Sequence, residues 1–171
     1  VIRFFDHGAT SLIRMAAIAM GLSIGAVLSP GAAFSESNAY CRSVRSVIGP
    51  MTETRSNEFR RDLINYLQNG GRINGYRDKI VRSTYLHDAS FAGDLENIRY
   101  LLRRGATINA RDKNGGTPIF YAVSGCQLNA AALLMANGAD PNLVERAMGL
   151  SAIGLAKESK QNRMLRVLLK K

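Results

Sequence analysis

Apolar and polar positions run along this chain in short helical pulses separated by glycine-marked breaks. Within residues 36–48, Tyr40, Val44, Val47 and Ile48 fit one helix, which Gly49-Pro50 stops. Phe59, Leu63, Tyr66 and Leu67 mark a second, with Ser56 or Asn57 as its cap and Asn69-Gly70-Gly71 as its end. Paired helices follow over 84–92 and 95–103, over 118–124 and 129–136, and over 152–158 and 161–170. The second helix of each pair ends near two large apolar residues: Tyr66-Leu67, Leu101-Leu102, Leu134-Met135 and Leu168-Leu169, spaced 35, 33 and 34 apart.

The stretch DKNGGTPIFYA (112–122) joins a glycine-marked turn to a helix start. Pro118 gives up no hydrogen bond at the first helical position, Thr117 is expected to satisfy orphan amides of the first turn, and Gly115-Gly116 permits the tight turn before it. Counting back 33 residues from Thr117 reaches Thr84 in TYLHDA, and counting forward 34 reaches Ser151 in SAIGLA. Loops share the period: GATIN (105–109) and GADPN (138–142) stand 33 apart, and GGRIN (70–74) is a degenerate copy.

These markers resemble the ankyrin repeat, a unit of about 33 residues with T-P-L-H-x-A opening its first helix and a Gly-Ala-Asp-x-Asn-like loop. The resemblance implies an all-α solenoid of stacked helix-turn-helix units. It divides the chain into a degenerate capping repeat at 36–75 and repeats at 76–108, 109–141 and 142–171, the last with a C-terminal cap. Leu86, Ala89, Leu95, Ile98, Leu101 and Leu102 would face neighbouring repeats, each large aliphatic contributing about 1.5–3 kcal/mol on burial. Ala130, Ala131 and Ala132 would allow close helix packing. Tyr85 and Ala152 replace the proline, and Cys126 replaces the usual glycine between helices, so that turn is expected to be distorted.

The resemblance further implies a concave partner-binding face of hairpin tips and exposed first-helix residues. Its members here are Asp78, Phe91, Arg111, Lys113, Asn114, Ser124, Glu145 and Met148, with Phe91 and Met148 as apolar anchors and Arg111 and Lys113 as complementary charge. Packing of Phe91 between repeats is the competing reading. His87 occupies the motif histidine, expected to hydrogen-bond the adjacent loop backbone, and Asp112 the turn aspartate. Gly138-Ala139-Asp140 reads as turn chemistry and not as a metal site.

Residues 1–35 have a separate character. Arg3 and Arg14 precede an apolar run over 15–28, then Ser29-Pro30-Gly31 and small residues through Ala33 and Ser35, resembling a secretory signal peptide cleaved after Ala33 or Ser35. The run falls short of the roughly 20 residues a bilayer-spanning helix needs, which disfavours an uncleaved anchor, and a lipoprotein cysteine is missing from its end. Val1 in place of methionine implies an alternative start or a trimmed chain. The expectation is a periplasmic or secreted protein without a transmembrane helix in its mature form.

Composition narrows the chemistry. The net charge is +10 over 171 residues, which favours acidic surfaces, nucleic acid or anionic lipid without naming one. Bases lack the interleaved aromatics that stack nucleic acid, so nucleic acid is disfavoured and a peripheral anionic envelope surface is the alternative partner. Cys41 and Cys126 are the two cysteines. One disulfide is available if the chain is exported; separation by about two repeats argues against it, since stacked repeats touch nearest neighbours, and the pairing stays open. No nucleophile elbow, phosphate loop or metal-ligand spacing occurs, so neither catalytic residues nor a cofactor or metal are expected, and the protein is read as a non-enzymatic binding module for a protein partner.

Overall fold

The computed structural model describes residues 39–170. Eight helices follow in order: α1 Ala39–Ile48, α2 Glu53–Gln68, α3 Tyr85–Ala92, α4 Leu95–Arg103, α5 Pro118–Ser124, α6 Leu128–Ala136, α7 Ala152–Glu158 and α8 Asn162–Leu168. The signal-peptide expectation lies outside the described residues. No described helix is long and apolar enough to cross a membrane.

Helices α3, α5 and α7 pack as one row and α2, α4, α6 and α8 as a second, giving the expected two-layer solenoid. The core runs continuously from Phe59 and Leu63 through Leu86, Ile98 and Leu101, then Ile119, Phe120 and Leu134, to Leu155, Met164 and Leu168. Each repeat needs its neighbours to bury these side chains. Ala130 and Ala131 are buried as expected; Ala132 is exposed. Leu86, Ala89, Ile98 and Leu101 are buried, while Leu95 and Leu102 are half-buried.

Each repeat opens with a hairpin held by backbone bonds. In the first, Tyr76 bridges Thr84; in the second, the Asp112 amide donates to Gly116 O at 2.9 Å; in the third, β1 (Val144–Glu145) pairs antiparallel with β2 (Leu150–Ser151). These two-residue strands are the small sheet component that the helical periodicity does not register.

Glycine is required at one recurring place. Gly70, Gly105 and Gly138 follow α2, α4 and α6 with φ of 83°, 81° and 87°, in the left-handed region that helix ends favour. From there the loop asparagines reach one repeat onward: Asn74 Oδ1 accepts from the Thr107 amide at 2.7 Å, and Asn109 Oδ1 from the Asp140 amide at 2.9 Å.

Three expectations are corrected. The cap of α2 is Thr52, whose Oγ1 accepts from the Arg55 amide, and the helix therefore starts before Ser56 and Asn57. Ser56 instead turns inward, its hydroxyl donating to Asp94 Oδ1 at 2.9 Å, the cap of α4. Nor does Cys126 distort its turn: it takes φ 55°, matching Gly93 at 75° and Lys160 at 53° in the neighbouring repeats. Finally, α1 and α2 are not a stacked helix pair. α2 packs against α4 as an outer helix should, but α1 is held at the inter-helix turn of the second full repeat. Cys41 and Cys126 form a disulfide, 2.04 Å between sulfurs and 5.6 Å between Cα atoms, Tyr40 OH donates to Ser124 O at 3.0 Å, and Val44 is buried. Nearest-neighbour stacking fails to forbid this link because α1 is a strap outside the stack. Closing 85 residues of chain contributes about 4.6 kcal/mol by loop entropy.

In a Cys41→Ser background, Cys126→Gly is expected to be more stable than Cys126→Ser by about 1 kcal/mol, because the left-handed conformation disfavours any side chain. Urea unfolding midpoints measure this, and equal midpoints contradict it.

Candidate functional site

The hairpin edge is held by a buried polar joint. His87 Nδ1 accepts the Thr84 amide at 3.1 Å and lies 2.9 Å from Thr84 Oγ1, which leaves Nε2–H to donate to Gly116 O at 3.1 Å. The ring thus ties the start of α3 to the hairpin of the next repeat, as expected of the motif histidine. Burial depresses its pKa below the usual 6.5, with the Gly116 carbonyl opposing, so the neutral form is the folded one. Below it, the Asp112 carboxylate accepts the amides of Asn114 (2.8 Å) and Gly116 (2.7 Å) through Oδ1, and Tyr121 OH (2.7 Å) through Oδ2. Burial and this carboxylate push the Tyr121 pKa up. Tyr121 stacks edge-on with His87 at 5.0 Å.

Thr117 does not perform the capping role expected of it. Its hydroxyl is buried without a hydrogen-bond partner among the described residues, and α5 has no side-chain cap bond. The equivalent Thr84 has His87 three residues on; Thr117 has Phe120 there, which offers no polar atom.

Turn acids recur at the repeat spacing. Asp78 Oδ1 accepts the Ile80 and Val81 amides at 2.7 and 2.8 Å, and Glu145 accepts the Ala147 and Met148 amides at 2.9 and 2.8 Å. The hairpins also bond one another: the Lys113 amide donates to Val81 O and the Arg146 amide to Asn114 O, both at 2.8 Å. Fixed spacing along the edge follows from these bonds.

The eight expected contact residues separate accordingly. Arg111, Lys113 and Met148 are exposed, and Asp78 and Asn114 are half-buried at the tips. Ser124 and Glu145 cannot touch a partner: they are 1% and 4% exposed, Ser124 beneath the α1 strap and Glu145 folded into its own turn. Phe91 is half-buried against the core and packs edge-on with Tyr121 at 6.5 Å, so the packing reading holds over the free anchor. Every residue of α5 is buried. The exposed surface therefore lies on hairpin tips and not on the central inner helix. Arg146 was absent from the expected set, although Asp78-Lys79, Asp112-Lys113 and Glu145-Arg146 repeat one acid-base dipeptide at spacings of 34 and 33.

A second polar cluster supports the first hairpin. Arg77 pairs with Asp88 at 2.7 Å and Asp62 at 3.3 Å, and lies 5.4 Å from the Tyr85 ring. Burial and Asp62 hold the Tyr85 pKa at about 12. Among the described residues no group of three or more His, Cys, Asp or Glu could hold a metal ion.

A family model described as ankyrin repeats (3 copies) matches residues 54–145. The chain is 38% identical over 73 residues to an ankyrin repeat and LEM domain-containing protein 1 homolog of Caenorhabditis elegans, covering 43% of this chain and 10% of that protein. It is 35% identical over 88 residues to the NF-kappa-B inhibitor cactus of Drosophila melanogaster, 50% of this chain and 18% of that one. Over 71 residues it is 41% identical to palmitoyltransferase Hip14 of the same fly, 41% of this chain and 11% of that enzyme. The chain thus spans less than a fifth of the length of each of these relatives.

Two outcomes follow from the joint. Thr84→Val is expected to cost about 1–2 kcal/mol and Thr117→Val about nothing, since only the first hydroxyl has a partner; equal losses in thermal unfolding contradict it. Because the folded His87 pKa lies below its unfolded value, the stability it brings is present above pH 6.5 and lost as pH falls beneath that. His87→Gln should therefore lose less stability than the native chain between pH 7.5 and 5.5, read by urea titration at both values, and parallel losses would overturn the assignment.

Proposed function

We propose that this chain, which belongs to the ankyrin-repeat family, is an exported, non-enzymatic module that docks a protein on the concave side of its hairpins. Ankyrin repeats are protein-protein interaction modules in general, and the exposed hairpin tips carry the reading here. Lys79, Ile80, Arg111, Lys113, Arg146 and Met148 project at regular intervals from turns locked by Asp78, Asp112 and Glu145. A turn backbone that is already locked has little conformational freedom to lose on binding.

The groups that would suit catalysis serve this frame. His87 is bonded through both ring nitrogens, and Asp112 and Tyr121 are bonded to each other. A general acid or base needs a site from which to reach a substrate proton, and these groups are buried. Hip14 is by name a palmitoyltransferase, but the match takes in 11% of it, and its activity is not carried over.

Export to the periplasm or beyond the cell is supported by the leader-like pattern over residues 1–35 together with the Cys41–Cys126 disulfide, since such bonds persist in oxidising compartments and are reduced in the cytosol. The alternative, a basic factor held on anionic lipid or cell-wall polymer, draws on the +10 charge.

Affinity purification of the protein from its native compartment is expected to recover one stoichiometric protein partner, with binding lost on combined Arg111→Ala, Lys113→Ala and Met148→Ala. Recovery of no partner, or attachment to anionic surfaces that the triple variant leaves unchanged, would contradict the reading.

A further inference from the structure

The hairpin edge has a charge arrangement that its composition conceals. Lys79, Arg82, Arg111, Lys113 and Arg146 are all exposed there, against three carboxylates, Asp78, Asp112 and Glu145. All three carboxylates accept their own turn's amides, and two are buried. The ion pairs formed between described residues at the hairpins belong to Arg77 and leave these five cations out. The edge therefore shows cations outward and carboxylates inward.

Two of the cations converge. A β-carbon placed on Gly115 would stand 3.2 Å from Arg111 Nη1 and 3.6 Å from Arg146 Nε, so both guanidiniums lie over one turn with Val144 O beside them. Arg111 reaches Val144 O at a long 3.5 Å, which leaves most of its fork unused. Like charges this close repel, and an incoming carboxylate relieves the repulsion while satisfying the planar donors in pairs. Apolar surface flanks the pair: Ile80 is 76% exposed on the first hairpin, and Val144 and Met148 are 46% and 41% exposed on the third.

We propose that this edge recognises an acidic, aliphatic-bearing segment of a protein partner, with one carboxylate seated between Arg111 and Arg146 and aliphatic side chains laid on Ile80 and on Val144 and Met148. The proposal rests on the protein-docking reading above and names its partner's chemistry. A protein segment fits better than a polyanion because the apolar groups alternate with the cations. The Lys113–Val81 and Arg146–Asn114 backbone bonds also fix the spacing of the hairpins, whereas an anionic polymer or lipid surface needs neither feature.

The test measures binding of the full protein to a short fluorescent peptide of alternating glutamate and leucine. Parallel arms use the same peptide with serine for leucine, the same with lysine for glutamate, and vesicles containing phosphatidylglycerol. The alternating acidic peptide should bind saturably, and Arg111→Glu with Arg146→Glu should weaken it at least roughly tenfold, the scale of a lost charge-assisted pair. Ile80→Ser with Met148→Ser should also weaken it, and the serine and lysine peptides should bind poorly, with circular dichroism melting of all variants unchanged. No saturable binding of the acidic peptide overturns the proposal. So does binding of the vesicles or the serine peptide that equals it and ignores the Ile80 and Met148 changes, the outcome of a plain polyanion surface. A captured protein partner that tolerates the Arg111 and Arg146 reversal also overturns it while leaving the docking reading intact; recovery of no partner counts against that reading alone.

Discussion

The hydrogen bond from His87 Nε2 to the Gly116 carbonyl is the contact on which the hairpin edge depends. Helix stacking supplies the bulk of the stability, but it fixes hairpins only loosely, because turns bury little apolar surface. The imidazole supplies the missing constraint by bonding its own helix start on one side and the next repeat's turn on the other. Asp112 completes the joint by satisfying two turn amides and the Tyr121 hydroxyl at once. A buried network of this kind is costly when incomplete and rigid when complete. Among the described residues the loose end is the Thr117 hydroxyl, where an apolar Phe120 stands in the histidine's position.

The α1 strap adds a second, covalent constraint of different type. It is fastened at one inter-helix turn, where its disulfide ends on Cys126, a residue already held in a left-handed conformation that glycine would adopt more easily. A side chain is kept there at some conformational cost because glycine has no sulfur to offer. The strap also covers the Ser124 end of α5. Inner-helix surface is lost in this way, and exposed side chains of the central repeat stand at its hairpin tip.

Much of the stack was legible in the sequence because its markers are periodic: apolar pairs, Gly-x-x-x-Asn loops and threonine or serine helix starts all repeat within 33 to 35 residues. Positions of α3 to α8 follow from that period to within a residue or two. The strap was not legible, since a lone amphipathic helix carries no signal of which surface it covers, and the reasoning from nearest-neighbour stacking applied only to helices inside the stack. Exposure at the site was legible in part. Arg111, Lys113 and Met148 lie at turn tips where any hairpin would expose them, whereas Ser124 and Glu145 are buried by non-local contacts and by a carboxylate folding onto its own turn. Arg146 had a readable signal in the recurring acid-base dipeptide, masked by the change from aspartate to glutamate.

The central claim is that the hairpins form one ordered edge held by the buried joint. Hydrogen exchange of backbone amides, followed by nuclear magnetic resonance on the folded protein, tests it most directly. The account predicts that the Lys113, Gly116 and Arg146 amides are protected well above the exchange rates of free turns, and that His87→Ala lowers protection at Gly116 and Lys113 while leaving α6 and α8 protected. Free-turn exchange of those amides in the native chain, or loss of protection spread evenly through all helices in the variant, would contradict it.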